Sequence, residues 1–269
     1  MGTVRRYWRL LGIQLKASGL LALQYRADFF TEGVTSLFWT FTALAPLFVV
    51  FGERPVVEGW SFGESLLVVG WFTLLQGILE GAINPSLTGV VEHIRKGTLD
   101  FVLLKPADAQ FLVSTQRFLP WRAFNVLTGL GLFFYAFTKL GRAPSVTGVL
   151  SSVLLLGTST LLLYSLWILT VSAAFYVVRV DNLTYLFTSI FDFARWPSSV
   201  FQGVAKGALT IFFTYVIPLA LMTTFPAEAM LGRLPLHALG GAVVGSVVFA
   251  WIARRVWQRS IRHYTSASS

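Results

Sequence analysis

The sequence has no cysteine, three histidines and twelve acidic residues among 269. Without cysteine there is no disulfide, no thiol nucleophile and no thiolate metal site. His93, His237 and His263 are scattered and none has a partner at ligand spacing, so neither a metal centre nor a nucleophile with its base can be assembled from them. Charge is scarce as well: Asp, Glu, Lys and Arg make up 12% of the chain, against about 25% in ordinary soluble domains. No GxxxxGK[ST] phosphate loop occurs, since GVAKGALT from Gly203 has neither the spacing nor the lysine position. Any ATP-driven step would therefore draw on another polypeptide. The chain also lacks internal repeats and a Gly/Ser linker, which argues against an ion-driven carrier built on inverted repeats and for one membrane domain over residues 1–269.

What fills the sequence instead is apolar surface, with 55% hydrophobic residues and a mean hydropathy of +0.69. A hydrocarbon core about 30 Å thick needs roughly 20 apolar residues per helix. Gly33 to Phe51, Phe62 to Ile83, Phe111 or Leu119 to Thr138, Val146 to Val178 and Leu236 to Val256 read as five such spans. Runs this long exceed a barrel strand, so the fold class is an all-α integral membrane protein. Leu183 to Phe225 carries two apolar pieces, LTYLFTSIF and ALTIFFTYVIPLALMTTF, around DFARWPSSVFQGVAKG; one net crossing there, in either piece or with a fold back, gives six spans.

Six spans place both termini on one side, and basic residues say which. Arg5, Arg6, Arg9, Lys16 and Arg26 precede the first span, Arg95, Lys96 and Lys105 lie between the second and third, and Arg254, Arg255, Arg259 and Arg262 follow or end the last. The opposite loops hold only Arg54, Lys139, Arg142 and Arg233. The positive-inside rule makes the termini and residues 84–108 cytoplasmic, so the net charge of +9 is a topology signal rather than a nucleic-acid footprint. In residues 1–30, Val4, Trp8, Leu11 and Leu15 share one helical face with Arg5, Arg9 and Lys16 turned away, the pattern of an amphipathic helix in the membrane surface. A solvated basic leader is the other reading. The apolar stretch between Lys16 and Arg26 is too short for a signal peptide, so this segment is expected to be retained. Residues 257–269 form a cytoplasmic tail ending in a frayed TSASS.

Ionisable groups near lipid must face protein or water. Asp192 and Arg195, three apart, can neutralise each other on a helix or serve as a gate. Gln76 and Glu80 form a candidate intramembrane polar pair. Glu64 reads as interfacial at the outer end, and Arg117 and Arg122 as snorkelling to headgroups. Gly241 and Gly245, with Ala242 and Ser246, offer a small-residue face on the last span, for intrachain packing or a subunit contact.

The charged stretch NPSLTGVVEHIRKGTLDFVLLKPAD, Asn84 to Asp108, stands out between apolar runs. Asn84 and Pro85 look like a helix start, Leu87, Val90, Val91 and Ile94 like its apolar face, and Gly97 like a left-handed stop. Thr98 is placed to cap a second short helix that runs to Leu104 and ends at Pro106. An ordered loop is one reading; a helix that docks into a groove on a cytosolic partner is the other.

IRKGTLDFVLLKPAD, followed by QFLVSTQRF, resembles the cytoplasmic-loop sequence of a branch of the ABC-2 type transporter permeases, and FDFARWPSSVF with VIPLALMTTFPAEAMLG resembles that branch's second block. The resemblance implies a six-span export permease with an interfacial N-terminal helix, and a crossing that begins near Leu183 with a re-entrant element after Pro197. It implies a coupling helix for a separate ATPase subunit, carried by Val91, Glu92, His93, Ile94, Arg95, Lys96 and Gly97, with Thr98, Leu99 and Asp100 at the bend. The implied partners are ABC ATPase subunits, a second copy or a related permease, and membrane lipids, in a bacterial inner membrane. ATP and Mg would reside in the ATPase, and this chain would bind no cofactor. The competing reading is a structural or regulatory membrane subunit that binds an ATPase and moves nothing.

Overall fold

The computed structural model of the chain describes residues 3–24, 26–176, 185, 188–199 and 218–264. Among these, five helices are long and apolar enough to cross a membrane: Phe30–Glu53, Phe62–Arg95, Pro120–Leu140, Val146–Phe175 and Leu236–Arg262. The sixth crossing and the re-entrant element, expected over 183–225, fall mostly outside the described residues.

In chain order, helix α1 spans Thr3–Gln24 and α2 Arg26–Glu53. A two-residue hairpin, Val56–Val57 against Trp60–Ser61, leads into α3, Phe62–Ile78. Then come α4 (Asn84–Arg95), α5 (Asp100–Leu103), α6 (Ala109–Ser114), α7 (Ala123–Leu140), α8 (Val146–Ser172), α9 (Phe225–Met230) and α10 (Leu236–Arg262).

Helix α3 is the axis of the bundle, with Leu66, Leu67, Val68, Val69 and Leu75 fully buried. A seam of glycines explains how it gets so close to α7. Gly63, Gly70 and Gly77 recur every seventh residue, and a Cβ on Gly70 would lie 2.6 Å from Phe133. The same atom on Gly129 of α7 would meet the Gly70 carbonyl at 2.8 Å. Without those side chains the backbones approach and dispersion contacts replace what lipid would offer. On the other side α8 packs against α10 through Ala242, Ser246, Ala253 and Trp257. The small-residue face expected on α10 therefore splits: Ala242 and Ser246 are buried, while Gly241 and Gly245 face open space.

The expected helix start at Asn84 is corrected by the structure. Asn84 has helical φ −59 and ψ −47, and α3 runs on through a π turn, Leu79–Ile83, into α4 as one 34-residue helix. The proline explains the turn. Pro85 has no N–H and its ring crowds the carbonyl four residues back, so the Gly81 carbonyl is freed and accepts the Leu119 N–H at 2.8 Å. Ser86 Oγ then donates to the Arg117 carbonyl at 2.6 Å and accepts the Arg117 N–H at 3.0 Å. Asn84–Pro85 thus docks the returning chain onto a continuous rod. The second π turn, Ala220–Thr224, also sits just before a proline, Pro226.

At the start of α3 Ser61 and Glu64 form a capping box. Glu64, expected to be interfacial, is only 6% exposed and pairs with Arg233. Arg122, expected to snorkel to headgroups, pairs with Glu32.

Candidate functional site

The 34-residue helix Phe62–Arg95 rises about 51 Å, against about 30 Å for a hydrocarbon core, so it is longer than one crossing needs. Gly97, at φ +66, ends α4: the Thr98 N–H donates to the His93 carbonyl at 2.9 Å and the Gly97 N–H to Ile94 at 3.2 Å. This is the Schellman pattern, which an L side chain at Gly97 would strain. Thr98, expected to cap the next helix, instead bonds His93 Nδ1 through its hydroxyl at 2.8 Å, and α5 begins after Leu99 with no side-chain cap.

Burial sorts the ten residues of the expected coupling segment. Val91 and Leu99 lie in this chain's own core, along with Leu87, Val90 and Val102. Ile94 packs against that core, and His93, Gly97, Thr98 and Asp100 are half-buried. Glu92, Arg95 and Lys96 are exposed, with Lys96 Nζ 3.6 Å from Glu92. The apolar face read as a docking face is thus already occupied within the subunit. The free apolar surface lies one bend further on, at Phe101 (69% exposed) and Leu104 (80%). Sequence reasoning placed these two in the second short helix and gave them no docking role; the signal was two large apolar side chains flanked by Asp100 and Lys105.

The far end of the loop is clamped. Asp108 caps α6 by accepting the Phe111 N–H at 3.0 Å. Its carboxylate is gripped by Arg254 of α10 through both guanidinium nitrogens, and Arg254 also donates to Gln110 at 2.7 Å. Gln110 continues to the Tyr164 hydroxyl of α8 at 2.9 Å. Burial works against ionisation of Asp108, but the Arg254 and Phe111 hydrogen bonds outweigh it and hold the carboxyl below its ordinary range. Helix α1 lies on the same clamp: Arg6 donates to the Pro106 carbonyl, the Tyr7 hydroxyl accepts the Asp108 N–H at 3.0 Å, and the Tyr7 and Phe111 rings meet edge to face at 4.8 Å. Further along α1, Ser18 accepts the Phe118 N–H at 3.1 Å. Val4, Trp8 and Leu15 stay exposed, next to a face carrying Arg5, Arg9 and Lys16. Helix α1, the loop and the last turns of α10 therefore share one end of the bundle.

The remaining polar candidates meet in a second place. Gln76, Glu80, Asp192 and Arg195 all line one cavity of about 610 Å³ between α2, α3 and the 3₁₀ turn Asp192–Arg195. Arg195 bonds Asp192 at 2.9 Å and lies 5.1 Å from the centre of the Phe72 ring, so the expected pair forms and is stacked on α3. Glu80 accepts from the Asn84 amide at 3.1 Å. Ser36 and Asn125, hydrogen-bonded to each other, add neutral donors to the lining.

A family model described as ABC-2 family transporter protein matches residues 37–268. The chain belongs to this family. The match takes in the rod, the loop, the clamp and the cavity, and with five spanning helices it makes this ABC-2 protein a multi-pass membrane protein of the permease type. Comparison with curated proteins and with solved structures finds no match.

Proposed function

We propose that this ABC-2 protein is the translocating subunit of an ATP-driven export system in a bacterial inner membrane, with the end carrying α1, the loop and the α10 terminus in the cytosol. A separate ATPase, holding ATP and Mg, docks on the loop, and a second permease copy or a related subunit completes the pathway. One observation carries the reading: the exposed Glu92 and Arg95 of the loop sit on the end of the same continuous helix whose membrane part lines the polar cavity, and Phe101 and Leu104 follow one bend further on. Glu92 near one end and Gln76 and Glu80 further along belong to a single rod, so a push on α4 reaches the cavity along one helix. Coupling follows if the bundle has two arrangements that the nucleotide-bound ATPase binds with different affinity.

The docking surface is Glu92, Lys96, Phe101 and Leu104, framed by the bend at Gly97 to Asp100. Apolar anchors ringed by charge suit a groove on a globular partner. Lys96→Glu combined with Leu104→Asp alters only exposed groups, so membrane insertion and thermal stability should match the wild type while recovery of the ATPase with the tagged chain falls at least tenfold. Wild-type recovery by this double variant would remove the docking assignment.

A further inference from the structure

The last three turns of α10 carry two arginines in succession that do different things. Arg254 turns inward to Asp108 and Gln110. Arg255 turns outward, its guanidinium 5.0 Å from the centre of the Trp251 ring. Trp251, Arg255, Arg259 and Arg262 follow one another at three- and four-residue steps and, with Gln258 beside them, line an open groove of about 440 Å³ on the face of the helix turned from the bundle. The opposite stripe, Ala253, Trp257 and Ser260, is buried against the bundle, with Trp257 5.7 Å from Phe175. Among the described residues no carboxylate pairs with Arg255, Arg259 or Arg262.

We infer that this groove binds the phosphate headgroup of an anionic phospholipid. The depth is right. The 20 residues from Leu236 to Arg255 rise about 30 Å, so Trp251 lies at the edge of the hydrocarbon and the three arginines lie among the headgroups. The chemistry is right too, because guanidinium forks match phosphate oxygens, and arginines on one stripe with no carboxylate partner among the described residues favour negative charge. The source of the phosphate follows from the side chains below it. Trp251 and Ile252 are exposed in line with the arginines, giving an acyl chain a shelf that a soluble anion would not use.

The test is native mass spectrometry of the purified chain in detergent with phosphatidylglycerol or phosphatidylcholine added. The wild type should retain phosphatidylglycerol in preference. Changing Arg255, Arg259 and Arg262 together to Gln should weaken retention roughly a hundredfold, and Arg259→Gln alone, which disturbs folding least, about fivefold. Arg255→Lys keeps the charge but loses the flat contact with Trp251 and should fall between. Arg54→Gln with Arg142→Gln, at the other end of the bundle, should change nothing. Equal retention of the two lipids, an unaffected Arg259→Gln variant, or an equal loss from the Arg54 and Arg142 changes would each overturn the site.

Discussion

Helices α3 and α10 both carry an equally apolar membrane stretch and put it to opposite use. The most apolar 18-residue windows of their spans have mean hydropathies of 1.7 and 1.8, yet 72% of the first window is buried inside the subunit and only 17% of the second. Lipid tails are as apolar as a protein core, so hydropathy reports that a helix enters the membrane and says nothing about which side meets protein. Glycine placement does. On α3 the glycines fall every seventh residue onto α7, and on α10 Gly241 and Gly245 look into open space.

The largest effect should come from breaking that contrast at its tightest point. Gly70→Leu must displace Phe133 and press on the Gly129 carbonyl, and overpacking of this kind costs about 1–3 kcal/mol or more. Gly245→Leu, on the other helix, meets nothing within 4 Å. A thermal scan in detergent should show a strongly lowered or absent transition for the first and a near-normal one for the second. Equal melting of the two variants would mean the seam is not what holds α3 in the core.

A smaller effect, near 1 kcal/mol because the ion pair is partly exposed, is expected from Asp108→Asn, which weakens the clamp between the loop and α10. Faster amide hydrogen exchange across residues 104–112, with little change in global melting, is the expected readout. The same clamp predicts a pH window. The Asp108 carboxyl is held below its ordinary value in the folded protein, so its contribution is present above the unfolded value of about 3.9 and is lost as pH falls through the folded one. Corrected for the intrinsic pH dependence of exchange, protection of residues 104–112 should therefore be flat from pH 8 to 5 and fade only below about pH 4. Loss of protection near pH 6 would assign it to another group. Smallest of all, Glu92→Ala removes an exposed helical pair with Lys96 and should shift stability by no more than about 0.5 kcal/mol.

The five described spans, the basic end of the bundle and the bend at Gly97 were legible in the sequence because each depends on neighbours in the chain: apolar run length, local charge and a glycine after a helical stretch. Asn84–Pro85 misled because a proline that usually opens a helix can also sit inside one, when a π turn and the Leu119 N–H absorb the freed carbonyl. Asp108 with Arg254 and Glu64 with Arg233 were not legible, being 146 and 169 residues apart. The glycine seam was visible in principle at Gly63, Gly70 and Gly77, but only a partner helix gives such a spacing meaning. In the loop, sequence placed the charged residues outward correctly and missed that Leu87, Val90 and Val91 are needed by the subunit's own core, which leaves Phe101 and Leu104 as the free apolar groups.

The absence of cysteine makes the central claim directly testable. Leu104→Cys introduces a single thiol at the loop, and Leu236→Cys places one at the opposite end of the bundle, where Leu236 is 85% exposed. Each variant, purified from its native membrane in mild detergent, is treated with a short thiol-to-amine crosslinker. The account predicts that residue 104 crosslinks to an ATP-binding subunit and residue 236 does not. An ATP-binding subunit captured from 236 and not from 104 would contradict it.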